Sequence, residues 1–153
     1  MSSPADDLNP RSIRTLLVDD SPVVLKTLSL LLHRQDGFTV IGAVPDGRHA
    51  LHYTVTLDPD LILMDVHMPH LNGIETTRYI KQMKNPPKII VTTSDESPGC
   101  REMAEAAGAD GFITKAGAKD IQRQLQLLLK MLFQSVSGST PPRLRAMKHL
   151  QPI

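Results

Sequence analysis

Short apolar runs rich in β-branched residues alternate along this chain with longer stretches whose apolar positions recur at helical spacing. That is the pattern of repeated strand and helix units around a parallel sheet. The runs are Thr15 to Val18, Thr39 to Val44, Leu61 to Met64, Ile89 to Val91 and Phe112 to Thr114. They are apolar nearly throughout, which suits strands covered by helices on both faces. The expected class is α/β, a doubly wound five-stranded parallel sheet with five helices.

Helix signals fill the gaps. Ser21-Pro22 supplies an N-cap and a first-turn proline ahead of Val24, Leu28, Leu31 and Leu32, and Gly37 marks the exit. Asp46-Gly47 opens a second helix to about Thr56, stopped by Asp58-Pro59. A third is expected from Asn72 or Gly73 to Met83, before Pro86-Pro87, and a fourth from Pro98 to Ala107, with Gly108 as its C-terminal cap. The fifth, Ala118 to Phe133, turns a stripe of Ile121, Leu125, Leu128, Leu129 and Leu132 to the sheet. Beyond Phe133 the chain becomes rich in Ser and Pro. The reading is therefore a disordered arm over 1–12, a domain over 13–133, and a basic tail or linker over 134–153.

A length of 153 residues, 41% hydrophobic and 22% charged, fits one globular domain with short tails and excludes two full domains. No apolar run approaches the roughly 20 residues of a membrane span, and the N-terminus lacks the basic start and apolar stretch of a secretory signal. A cytoplasmic location without membrane contact is expected. The single cysteine, Cys100, excludes an internal disulfide and a CxxC metal knuckle. The net charge of +1 hides an asymmetry, because the tail carries Arg143, Arg145 and Lys148 with no acid. Three tail cations read as a solvated end, and with three Phe, two Tyr and no Trp there is little material for base stacking. Direct nucleic acid binding by this chain is not expected.

Ligands of an open parallel sheet sit outside the carboxyl ends of its strands. There the first run ends in Asp19-Asp20, the third in Asp65, the fourth in Thr92-Thr93 and the fifth in Lys115. Three carboxylates at one rim repel each other unless a cation compensates them. Magnesium, which favours oxygen ligands and keeps several waters, suits this inventory, and Lys115 with the Thr92 hydroxyl suits a phosphoryl group beside it.

The surrounding residues carry a resemblance. Leu17-Val18-Asp19-Asp20-Ser21, Leu63-Met64-Asp65-Val66-His67-Met68-Pro69-His70-Leu71-Asn72-Gly73, Ile90-Val91-Thr92-Thr93 and Gly108-Ala109-Asp110-Gly111-Phe112-Ile113-Thr114-Lys115 together resemble the receiver domain of bacterial two-component response regulators, over about Arg14 to Phe133. The resemblance implies the flavodoxin-like, CheY-like fold. It implies that Asp65 accepts a phosphoryl group from a sensor histidine kinase or histidine phosphotransfer protein. It further implies that Asp20, Asp65 and the main-chain carbonyl of His67 hold Mg2+, with Asp19 acting through water. Lys115 would pair with the phosphoryl oxygens. Thr92 would move toward the new group and vacate space into which Phe112 turns, switching a downstream protein through the face of the fourth helix, fifth strand and fifth helix. His67 and Ser94, each two positions past a site residue, are placed to tune the lifetime of the phosphorylated state.

Each residue also has a plainer reading. Asp19 and Asp20 suit a helix cap, Thr92 and Thr93 are common β-formers, Phe112 suits core packing, and a lone His67 suits a solvated surface. The conjunction of acidic pair, Asp65, hydroxyl and lysine in this order favours the functional reading. Two further points stay open in the sequence. Many receivers follow the lysine with proline, whereas Ala116-Gly117 stands here. A cis bond to a non-proline residue costs about 2.5 to 4 kcal/mol, so a trans loop with Gly117 absorbing an unusual turn is expected. Leu127 and Met131 form an i, i+4 pair beside the stripe of the fifth helix, either a dimer or partner surface or part of a broad core-facing stripe.

The resulting expectation is a receiver that catalyses its own phosphotransfer and dephosphorylation but is not otherwise an enzyme. It would be a stand-alone shuttle or the receiver part of a longer protein. The rivals are a phosphorylation-independent interaction module and an aspartate-nucleophile phosphatase, which places a second aspartate where His67 stands.

Overall fold

The computed structural model describes residues 12–94 and 97–133. The expected arm, apart from Ser12, and the tail lie outside the described residues. The order is β1 (Ile13–Val18), α1 (Pro22–His33), β2 (Phe38–Val44), α2 (Gly47–Leu57), β3 (Leu61–Asp65), α3 (Gly73–Lys81), β4 (Lys88–Thr93), α4 (Pro98–Ala106), β5 (Gly111–Thr114) and α5 (Ala118–Leu132). All strand pairs are parallel, in the order β2-β1-β3-β4-β5.

Because successive strand side chains point to opposite faces, the apolar runs split between two cores. Leu16, Val18, Ile62, Met64, Ile89 and Val91 pack with Ala50, Ile74, Ile80, Cys100 and Ala104 from α2, α3 and α4. Leu17, Leu61, Leu63, Ile90 and Ile113 pack with Leu28, Leu31 and Leu32 of α1 and Ile121, Leu125 and Leu129 of α5. Each large buried aliphatic contributes roughly 1.5–3 kcal/mol relative to exposure.

Helix ends follow the caps. Ser21 accepts a hydrogen bond from the Val24 amide, Asp46 from the His49 amide and Asn72 from the Glu75 amide. The third helix stops at Lys81 rather than Met83, with Gln82 as its cap, and the fourth at Ala106 rather than Ala107. Gly108, at φ +99°, does occupy the left-handed region after α4.

Three expectations change. Coverage on both faces holds for the central strands but less for β2, an edge strand of mostly half-buried residues. The described backbone has no cis peptide, but Gly117 does not use glycine's freedom: its φ of 166° is extended, and a Cβ there meets nothing within 4 Å. Leu127 and Met131 are 58% and 70% exposed, which removes the core-stripe reading of that pair.

At the amino ends of the strands, two other acids are tied to backbone. Asp60 accepts from the Arg14 amide at 2.9 Å. Asp110 accepts from the Ile89 amide at 2.9 Å and from Lys81 Nζ at 2.6 Å. These staples hold the sheet's far end and leave the carboxyl end for chemistry.

Candidate functional site

The alternation that divides the cores also builds the site. Asp19, Asp65, Thr92 and Lys115 each lie two residues beyond a member of the α1/α5 core, namely Leu17, Leu63, Ile90 and Ile113. They therefore extend one row of side chains past the sheet's carboxyl edge. The ladder continues with them: the Asp19 amide donates to Val44 O at 3.1 Å, the Val66 amide to Thr92 O at 3.1 Å and the Lys115 amide to Thr93 O at 2.7 Å. Backbone pairing thus fixes where four separated segments place their polar ends.

Lys115 Nζ donates to Asp19 Oδ2 and to Asp65 Oδ1, each at 2.9 Å. The other oxygen of Asp19 accepts from the Ser21 amide at 2.9 Å, which joins the site to the start of α1. Asp20 is exposed, whereas Asp19 and Asp65 are buried. One carboxylate oxygen from each of these three aspartates lies within 4.8 Å of the others.

Burial raises the pKa of Asp65 above the ordinary carboxylate value. The hydrogen bond and charge of Lys115 oppose that rise, while Asp19 and Asp20 add to it. Burial is also the largest single influence on Lys115 and pulls its pKa down, but the hydrogen bonds and charges of Asp19 and Asp65 together outweigh it and leave the ammonium raised. One ammonium therefore faces a surplus of carboxylate, the electrostatic setting that a hard cation relieves.

The Thr92 hydroxyl is buried without a hydrogen-bond partner, a costly state for a polar group. Thr92 is the ladder partner of Asp65. An orphaned donor in the same row as Asp65, Asp19 and the Lys115 ammonium, with the Asp20 carboxylate close to both aspartates, fits a phosphoryl group with Mg2+ beside it.

The loop after Asp65 approaches this strand closely. Gly73 donates to Val66 O at 2.9 Å, and a Cβ on Gly73 would collide with the carbonyl of Asp65. Glycine is thus required by space at the end of the segment from Asp65 through Met68-Pro69 to Gly73.

Of the remaining expected residues, His67 and Ser94 are exposed, in the segments following β3 and β4. Phe112 belongs to the opposite face: it pairs with Val91 in the ladder and packs partly against the α2/α3/α4 core. Its ring lies 4.9 Å from the guanidinium carbon of Arg101 on α4. Sequence reasoning missed Arg101, whose position carries no motif; only the docking of α4 on β5 reveals it.

Comparison with known proteins bears on the family and the fold. The family model for the response regulator receiver domain matches residues 15–126. The chain is 39% identical over 102 residues to the transcriptional regulatory protein YdfI of Bacillus subtilis, covering 67% of this chain and 47% of that protein. It is 34% identical over 134 residues to the protein-glutamate methylesterase/protein-glutamine glutaminase of a Nocardioides species, covering 86% of this chain and 37% of that enzyme. The chain thus spans less than half the length of these two relatives. Among solved structures, the response regulator domain of Thermotoga maritima CheB superposes with TM-score 0.69 at 33% identity, covering 85% of this chain and 100% of that one. Among the described residues no helix is long and apolar enough to cross a membrane.

Proposed function

This chain belongs to the response regulator receiver domain family, and on that premise we propose that it accepts a phosphoryl group on Asp65 and changes its protein contacts when it does. The donor is a phosphohistidine on a sensor kinase or phosphotransfer protein. A carboxylate oxygen of Asp65 attacks phosphorus, the P–N bond breaks, the imidazole leaves and takes up a proton, and an acyl phosphate remains.

The residues divide the work by charge. Asp20, Asp65 and the His67 main-chain carbonyl would hold Mg2+, with Asp19 acting through a water. When bound, the ion offsets the negative charge that gathers as carboxylate and phosphoryl group meet. Lys115, already 2.9 Å from Asp65, pairs with a phosphoryl oxygen once the group is attached. Thr92 donates its hydroxyl to another oxygen and thereby gains the partner it lacks. Solvent-exposed His67 and Ser94 flank the mouth, where side chains influence the water that later hydrolyses the acyl phosphate.

The topology supports a route for the output. Thr92 and Phe112 lie on opposite faces of the sheet, on the paired strands β4 and β5, so a change at Thr92 reaches the ring through the β4–β5 pairing. The face of α4, β5 and α5 is the surface offered to a downstream protein or a second copy, and α5 also exposes Leu127 and Met131.

The buried, unpartnered Thr92 hydroxyl beside Asp65 and Lys115 carries this reading. Its test is to incubate the chain with Mg2+ and acetyl phosphate and follow intact mass. One labile phosphoryl adduct, absent in Asp65→Asn, is expected. An unmodified wild type overturns the proposal. Sustained turnover of small phosphate esters would instead favour a phosphatase, and partner binding unchanged in Asp65→Asn a constitutive module.

A further inference from the structure

The contact between Arg101 and Phe112 joins two elements that the phosphorylation chemistry does not touch directly. Arg101 is exposed on α4, and its guanidinium carbon stands 4.9 Å from the centroid of the half-buried Phe112 ring on β5. A cation at this distance over an aromatic face is attracted by the ring's quadrupole. Among the described residues no carboxylate forms a salt bridge with Arg101, although Glu102 and Glu105 are on the same helix. The ring's other neighbours are core side chains such as those of the α2/α3/α4 cluster.

We propose that Arg101 is a positioning residue that holds the Phe112 ring in its present orientation and so sets the balance between the resting and switched states. This deepens the switch reading above and rests on it. A turn that takes the ring's face away from the guanidinium loses this contact, so the contact favours the orientation seen here, in which the Thr92 hydroxyl is unpartnered. A ligand or contact shifts such an equilibrium only by its difference between the two states. For a partly exposed cation–π pair that difference corresponds to about a two- to fivefold change in the ratio.

The test uses the full chain with labelled phenylalanine rings, of which there are three, the Phe112 signal being identified with Phe112→Leu. Saturating beryllofluoride with Mg2+ defines the switched end point of the wild-type ring signal. Without the mimic, Arg101→Gln is expected to displace that signal toward the switched end point and to tighten the apparent beryllofluoride affinity about two- to fivefold. Arg101→Lys, which keeps a cation, is expected to stay nearer wild type. If the ring responds to beryllofluoride but Arg101→Gln matches wild type in both measurements, the Arg101 role is overturned and the switch reading stands. If the wild-type ring stays still while amides around Asp65 shift, the switch reading falls and the Arg101 role falls with it.

Discussion

Asp65 and Thr92 face each other across the β3–β4 ladder, the first a buried carboxylate raised in pKa and the second a buried hydroxyl without a partner. The hydroxyl is in an unfavourable state that a phosphoryl group on Asp65 would relieve by supplying an acceptor, while the negative charge added there is what Lys115 and Mg2+ would offset.

Replacing Thr92 by Val should therefore separate stability from signalling. Removing an unsatisfied buried hydroxyl is expected to leave the metal-free chain as stable or up to about 1 kcal/mol more stable. The same change should abolish the beryllofluoride response at Phe112. Urea unfolding and ring spectra check the two halves, and a loss of several kcal/mol would mean that the hydroxyl is bonded after all.

Lys115→Ala leaves Asp19 and Asp65 buried without their shared ammonium. Breaking a buried ion pair in this way is expected to cost about 3 kcal/mol without divalent ions. Because binding to the native state adds stability by mass action, Mg2+ should raise the melting temperature in wild type and more so in Lys115→Ala, where it alone compensates the carboxylates. An equal Mg2+ effect in the two proteins would contradict the shared role.

Gly73→Ala is expected to cost about 1–3 kcal/mol, since overpacking forces backbone to move, and the atom displaced is the carbonyl of Asp65. The phosphorylation rate should fall with it. Gly99→Ala, where a Cβ meets nothing within 4 Å, is the control, and similar stability losses at both positions would refute the steric account.

The cap of α2 predicts an acid-side stability change independent of the site. The hydrogen bond from the His49 amide holds Asp46 below its ordinary pKa of 3.8, against burial, with help from the His49 ring. A depressed folded-state pKa means stability present above 3.8 and lost as pH falls through the lowered value. Asp46→Asn, still a good cap, should remove that part of the pH dependence, while Asp46→Ala costs about 1 kcal/mol at neutral pH. Denaturant titrations of the three proteins across the acid range decide the matter, and identical pH profiles would count against the cap.

What the sequence determined was local. Short β-branched apolar runs and helical spacing separated five strands from five helices, Ser21, Asp46 and Asn72 marked helix starts, and polar residues ending apolar runs exposed Asp19, Asp65, Thr92 and Lys115 as a set. Side-chain direction and capping depend on neighbours a few residues away, so they are written in order along the chain. Strand order, the edge position of β2, the Lys115 ammonium shared by residues as far from it as Asp19 and Asp65, and the seating of Arg101 on Phe112 were decided by tertiary packing. Those contacts depend on which faces meet once the sheet is assembled, and apolar runs as alike as Thr39 to Val44 and Leu61 to Met64 do not say which becomes an edge. The same holds at Gly117, where a glycine that suggested a special turn proves extended because the loop closes without one.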